Sequence, residues 1–305
     1  MSFKSIQVCS GNFFSLCDFI IKFEDASMEF DINDFVSVNL PGDSKFPALR
    51  LLKCQGRDQI ANIIETFGWE YFESPMPQVF YKICQAAKGN IIDVGANTGF
   101  YTVLATAALS TNKKIWAFEP DPHIFPILTA NIKLNGIDDS VVLKNEALSN
   151  REGSALLYIP TQEHGLVETS SSLEKTFKEA HSESLSVKIS TMDSHWGFLK
   201  KITEPISIIK IDVEGHESNV LLGAENIVKK FQPLIFLEVL PNANLTEINA
   251  FVKRNDYLDV RLRAGGATEV SSVVSFDEHA WNHILFPRAS TDYLFSLLES
   301  ARAVA

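Results

Sequence analysis

The chain has 305 residues, 46% of them hydrophobic, and a formal net charge of -11. That length buries one large core, or a core with a small cap, and the acidic balance gives no basic field to draw phosphate backbones, so a nucleic-acid partner is not expected. No apolar run reaches the ~20 residues that span a bilayer, and the stretch from Phe13 to Ile21 is interrupted by Asp18 with no cleavage site behind it, so the reading is a cytoplasmic protein with no membrane partner.

Residues 1–70 form a less regular N-terminal extension or cap, with strand-like runs at Phe19 to Phe23 and Phe35 to Val38 and a turn signal at Pro41-Gly42-Asp43. Cys9, Cys17, Cys54 and Cys84 form no C-x-x-C pair and read as reduced, partly buried thiols. Apolar residues at three and four spacing predict helices over Ile60 to Phe67 and Pro77 to Ala87.

The densest signal follows. Ile91, Ile92 and Val94 suit a buried strand, Asp93 lies within it, and Gly95 and Gly99 mark a turn into a helix from Tyr101 to Leu109. Glycines there let a ligand approach the backbone, and free N–H groups at the new helix would receive it. A second strand, Lys114 to Phe118, ends in Glu119, Pro120 and Asp121, with Glu119 twenty-four residues after Gly95. An acid at about that spacing binds ribose hydroxyls in dinucleotide folds. The glycine pattern is not the dinucleotide one, because Asn97 and Phe100 stand where glycines belong, which disfavours an NAD-linked oxidoreductase.

Further along, His123 to Leu134 predicts a helix stopped by Asn135-Gly136, and Val141 to Leu143 a strand running to Asn145, Glu146 and Ala147. Ser154 to Ile159 and Leu185 to Ile189 suit strands. Between them lies a polar stretch, Thr161 to Ser184, read as a solvated loop with a short helix at Leu173 to His181 or as a substrate lid. The second dense cluster is a central strand, Ile206 to Ile211, running into Asp212-Val213-Glu214-Gly215-His216-Glu217. Lys210 is expected to point away from the site. One helix from Ser218 to Phe231 follows, then buried strands at Pro233 to Val239 and His283 to Pro287 around a segment containing Arg261 and Arg263. Residues 291–305 make a C-terminal helix or tail.

The motifs Ile-Asp-Val-Gly-Ala-Asn-Thr-Gly at 92–99, Ala-Phe-Glu-Pro-Asp at 117–121, Asn-Glu-Ala-Leu-Ser at 145–149 and Lys-Ile-Asp-Val-Glu-Gly-His-Glu at 210–217 resemble those of FkbM-type methyltransferases, which use S-adenosylmethionine (SAM). The resemblance covers about residues 72–288. It implies an α/β class I methyltransferase fold, Rossmann-like, in which a mostly parallel seven-stranded sheet carries helices on both faces, with the methyltransferase domain at residues 71–290. It implies methylation of a hydroxyl on a small metabolite or sugar. Asp93, Gly95, Asn97, Thr98 and Gly99 would hold the methionine part of SAM, Glu119 and Asp121 the ribose, Glu146 and Ala147 the adenine edge, and Asp212 the donor's amino group.

A hydroxyl acceptor must lose its proton, and His216 is the side chain best matched to neutral pH, with Asp212 and Glu214 as carboxylate alternatives. Asp212, Glu214, His216 and Glu238 offer hard ligands, but their spacing is not distinctive of a metal, so none is expected. A homo-oligomer is compatible with these bounds. The non-enzyme alternative is a SAM-binding module without catalysis.

Overall fold

A computed structural model of the chain describes residues 20–22, 29–40, 48–109, 113–161, 166–167, 169–178, 180–195, 205–263 and 266–302. The turn expected at Pro41-Gly42-Asp43, Cys9, Cys17 and most of the Phe13 to Ile21 stretch lie outside them.

Two short antiparallel pairs come first, β1 (Ile20–Lys22) with β2 (Glu29–Asp31), and β3 (Phe35–Asn39) with β4 (Ala48–Leu52). Helix α1 (Gln59–Phe67) starts on Asp58, whose carboxylate accepts the N–H of Ala61 at 2.8 Å. Helix α2 (Met76–Ala86) leads into β5 (Asn90–Val94). The alternation continues with α3 (Phe100–Ala108), β6 (Ile115–Phe118), α4 (Phe125–Leu134) and β7 (Val141–Lys144).

A side sheet of β8 (Ala147–Leu148), β9 (Gly153–Pro160) and β10 (His181–Ser190) interrupts it. After that come β11 (Ile206–Ile211), α5 (Glu217–Leu222), α6 (Glu225–Phe231), β12 (Leu234–Glu238) and α7 (Leu245–Arg254). The antiparallel strands β13 (Tyr257–Arg263), β14 (Gly266–Ser271) and β15 (Asn282–Pro287) and helix α8 (Thr291–Arg302) close the fold.

The main sheet has eight strands in the order β14-β13-β15-β12-β11-β5-β6-β7. Neighbours from β12 through β7 pair in parallel, and the pairings of β15 with β12, β15 with β13, and β13 with β14 are antiparallel. The expected seven strands are therefore joined by an eighth on the edge, and the sheet is mixed. The chain moves outward from β5 to β7 and then returns to place β11 against the other side of β5. That reversal makes the crevice between the carboxyl ends of β5 and β11 the ligand-binding position of the fold.

Strands β5 and β6 are buried at every position, which explains their β-branched and aromatic runs. One apolar cluster runs from Val36 in β3 through α2, β5 and α3 to Leu298 in α8, and a second fills the other face around Ile209, Ile235 and Phe251. Asn131 on α4 accepts the N–H of Leu52 at 2.8 Å and donates to the carbonyl of Thr98 at 2.7 Å. One buried amide thus ties β4 to the glycine turn.

Two sequence expectations fail. The helix expected over Ser218 to Phe231 is two helices, because Gly223 lies against the carbonyl of Ser149, only 2.0 Å from where a Cβ would stand, and its own carbonyl accepts the N–H of Asp193 at 2.8 Å. Asp193 then caps α6, accepting the N–H groups of Asn226 and Ile227 at 3.0 Å each. In place of the helix expected at Leu173 to His181, residues 173–178 run through turns and His181 already opens β10. Ser172 pairs with Tyr158 through two backbone hydrogen bonds and fixes that segment to β9.

Candidate active site

A cavity of about 750 Å³ opens at the carboxyl edge of β5, β6, β11 and β12, within the range of sites for cofactor-sized ligands. Its floor is the glycine turn. Gly95, at φ +75°, is required by packing: a Cβ there would lie 1.7 Å from the carbonyl oxygen of Asp212. Beside the expected reason, room for a ligand against the backbone, stands a second one, room for β11 against β5. Gly99, at φ +100°, begins α3 in the left-handed region, and Asn97, at φ +53°, is a residue that tolerates it.

The backbone N–H groups of the turn itself are all engaged. Gly95 and Ala96 both donate to the carbonyl of Phe118 at 3.0 Å, Asn97 to Glu119 at 2.8 Å, Thr98 to the Asn97 side chain at 2.7 Å, and Gly99 to the carbonyl of Ala96 at 2.9 Å. Every donor from 95 to 99 is spent within the chain. A pyrophosphate would find no backbone donor in the turn itself, which is a physical reason against a dinucleotide.

Glu119, at the end of β6, lines the cavity. One oxygen accepts the N–H of Asn97 and the other that of Asp121, each at 2.8 Å. Those bonds aim the carboxylate and leave lone pairs for hydroxyl donors. Burial pushes Glu119 up to about 8, against the backbone bonds that stabilise its charge. Asp121, also on the cavity wall, accepts the Ser171 hydroxyl at 2.6 Å. Asn97 donates to the carbonyl of Thr169 at 2.9 Å. The 169–174 segment is thereby fastened across the turn.

Glu146 and Ala147 line the same end. Glu146 is buried, with Lys188 at 2.7 Å and His195 at 3.4 Å. Asp93, Thr98 and Gly99 are not among the lining residues. Asp93 is 1% exposed and accepts the Thr102 hydroxyl at 2.6 Å beneath the turn. The Thr98 side chain bonds to Asp58 at the start of α1. These three shape the turn from below.

Across the crevice, Asp212 continues β11, and its N–H donates to the carbonyl of Val94 at 3.1 Å. Lys210 corrects the sequence reading. It shares the Asp212 side of the strand, lines the cavity, and donates to Asp212 at 3.0 Å with Asp93 at 3.8 Å. Burial opposes its charge, but Asp212, Asp93 and Glu73 outweigh that and hold the ammonium above its ordinary range. Its Nζ also lies 4.9 Å from the centre of the Tyr101 ring.

Glu214, at φ +56°, and Glu238, at the end of β12, line the cavity beside Asp212. Burial and then Asp212 push Glu214 up to about 8, and the same causes raise Glu238 well above the usual carboxylate range. His216 stands on the wall with both ring nitrogens engaged, Nε2 with the Ser149 hydroxyl at 2.9 Å and Nδ1 with Glu174 at 2.6 Å. That bond holds Glu174 below its ordinary pKa. Glu217, inside the turn, accepts the N–H of Gly215 at 2.9 Å.

All three acid-base candidates therefore meet at one cavity with Glu119. Sequence reasoning missed Glu73, Glu174 and Ser149; of these, Ser149 carried a signal, as the last residue of a recognised motif. Arg261 and Arg263 both pair with Asp277 inside the chain, the former at 3.3 Å. Among the described residues no group of three or more His, Cys, Asp or Glu side chains is placed to hold a metal ion. No helix there is long and apolar enough to cross a membrane.

Comparison with known proteins gives three kinds of likeness. The hexuronic acid methyltransferase AglP of Haloferax volcanii is 26% identical over 182 residues, covering 59% of this chain and 64% of that protein. The chain thus matches less than two thirds of that relative's length. Among solved structures, methyltransferase FkbM of Methylobacillus flagellatus is 14% identical, with 65% of this chain and 44% of that chain covered at a TM-score of 0.42. The O-methyltransferase of Bacillus cereus, solved in complex with SAH, is also 14% identical, with 70% and 80% covered at 0.41. The sequence model of the methyltransferase FkbM domain matches residues 93–258, more than half of the chain and the whole stretch from the glycine turn into β13. The chain belongs to the FkbM-type methyltransferase family.

Proposed function

We propose that this methyltransferase carries a methyl group from SAM to a hydroxyl of a small metabolite or sugar. The observation that carries the reading is the convergence of Glu119 and the Asp212–Glu214 turn on one cavity at the β5/β11 crevice. Carboxylates at the β6 end fit the hydroxyls of a ribose, and a turn without free donors fits a nucleoside that has no pyrophosphate. SAM, when bound, supplies an electrophilic methyl on a sulfonium.

The chain's own part is to hold the acceptor oxygen in line and to remove its proton. Of the three candidates, we assign the proton to Glu214. Its affinity for a proton is brought near neutrality while it faces the cavity, as a general base requires. His216, bonded at both nitrogens, fixes the turn that presents Glu214 and Asp212. Asp212, paired with Lys210, offers a carboxylate to the donor's amino group. Asp93 and the 95–99 turn support the methionine end from below, and Glu146 with Ala147 border the adenine.

The acid-lined cavity disfavours a polyanionic acceptor such as nucleic acid, and Asn97 and Phe100 stand where a dinucleotide turn has glycines. A SAM-using enzyme works where SAM is made, which goes with a cytoplasmic location. Transfer of labelled methyl from SAM into an extract of the source cells, with mass detection of the product, tests the reading. An O-methylated product supports it; methyl on nitrogen or carbon only would refute it.

A further inference from the structure

The family match begins at residue 93, yet part of the cavity wall comes from before it. Gln59 and Ile63 on α1, then Phe72 and Glu73 on the turn ahead of α2, all line the cavity. Gln59, Ile63 and Phe67 follow one another at four-residue spacing, so Phe67 lies one turn beyond Ile63, the last residue of α1 on the wall. Phe67 is 61% exposed and stacks on Tyr71, 64% exposed, with ring centroids 4.8 Å apart. Tyr71 immediately precedes Phe72 and Glu73. Neither ring lines the cavity, but the pair adjoins residues that do, Ile63 one turn back on α1 and Phe72 next to Tyr71, and the Glu73 carboxylate follows on the wall.

Glu73 is open to solvent as a residue, while its carboxyl end accepts the Tyr101 hydroxyl at 2.6 Å. Burial of that end and the charge of Asp212 push it up to about 7. Glu238 faces the same space, and its Oε2 is buried with no hydrogen-bond partner among the described residues. A buried carboxyl oxygen without a partner calls for a hydrogen-bonding group from a ligand. Among the described residues the lysines on the wall are Lys210, held by Asp212 and Asp93, and Lys178, bonded to the Ser170 hydroxyl and near enough to Glu214 to act on its charge.

Resting on the methyltransferase reading, we propose that Glu73, Glu238 and the Phe67–Tyr71 pair form the acceptor subsite, and that it takes a hydroxylated ring without a carboxylate. Glu73 and Glu238 accept hydrogen bonds from ring hydroxyls, and an amino group is equally matched. The apolar face of the ring lies on the exposed aromatic pair. In the reacting state, where Glu214 has lost its proton to act as base and Glu73 with its lower value is ionised too, a carboxylate on the ring would meet both charges with Lys210 already paired, so like charges exclude it. The acceptor thus differs in charge class from the hexuronic acid in the name of the AglP relative.

The test splits a small-molecule extract of the source cells on an anion exchanger and offers both fractions with labelled SAM to the full chain. The label is expected in the unretained, uncharged and cationic fraction. Glu73→Gln is expected to cut that transfer at least tenfold while binding SAH as the wild type does. Phe67→Ala with Tyr71→Ala, both exposed and harmless to folding, is expected to raise the acceptor KM about fivefold or more with kcat little changed. Label in the retained fraction overturns the proposal, as does wild-type transfer by Glu73→Gln. Weakened SAH binding in Glu73→Gln would assign the residue to the donor and also overturn it. SAH binding without product in either fraction refutes the acceptor subsite, whereas no SAH binding at all refutes the methyltransferase reading on which it rests.

Discussion

Gly95→Ala is the most informative single perturbation of the turn, because its cost can be worked from the geometry. The new Cβ would stand 1.7 Å from the carbonyl oxygen of Asp212, a backbone atom with no rotamer to yield. Restoring ordinary carbon–oxygen contact needs a displacement of about 1.5 Å between the tips of β5 and β11. Overpacking of this kind costs about 1–3 kcal/mol, and a residue with a Cβ at φ +75° adds about 1 kcal/mol. A total of about 2–4 kcal/mol lowers the melting temperature of a chain this size by roughly 5–15 °C. It also moves Asp212, so SAH binding should weaken alongside. Gly136→Ala is the control, since φ there is +62° but nothing lies within 4 Å of the added carbon, and it should lose only about 1 kcal/mol. Scanning calorimetry of the three proteins, followed by SAH titration, checks this. If Gly95→Ala melts with Gly136→Ala and binds SAH like the wild type, the contact between β5 and β11 does not set the turn.

Two further expectations concern protons. With Glu214 as base, kcat/KM for methyl transfer rises with pH through about 8 and levels above it; Glu214→Gln should lower turnover about 100-fold or more and flatten the profile, while His216→Ala should keep the profile's shape, and the reverse pattern would return the base role to His216. Glu119 is raised in the folded state to about 8 from an ordinary 4.5, so between those values the folded chain holds a proton that the unfolded chain has lost. Its contribution to stability therefore falls as pH rises through that window, by about 2 kcal/mol between pH 6 and 8 for a fully buried group. Urea unfolding of the ligand-free protein should give a higher midpoint at pH 6 than at pH 8, and Glu119→Gln should remove part of that difference; an unchanged pH slope in the variant would contradict it.

How much of this was legible in the sequence depends on the range of the interaction. β5 and its turn were readable because the β-branched run, the two glycines and the following apolar helix are contiguous and locally consistent. Glu119 was readable because one crossover helix sets its distance from Gly95. The role of Gly95 was not, since the atom it makes room for belongs to Asp212, more than a hundred residues away. Lys210 was misjudged although parity with Asp212 placed it on the same side of β11. Leu173 to His181 reads as a short helix, but the backbone pairing of Ser172 with Tyr158 and the reach of Glu174 to His216 hold residues 173–178 in turns. Glu73 carried no local signal at all, because only the packing of α1 and α2 brings its turn to the cavity.

The central claim is that the cavity at the β5/β11 crevice binds SAM through Glu119. Titration calorimetry with SAH on the wild type and Glu119→Ala measures it directly. The account predicts one site per chain in the wild type and a Kd raised by about 30-fold or more in the variant, the loss of two ribose hydrogen bonds at about 1 kcal/mol each. No heat of binding with the folded wild type at about 1 mM SAH, or equal affinity in both proteins, would contradict it.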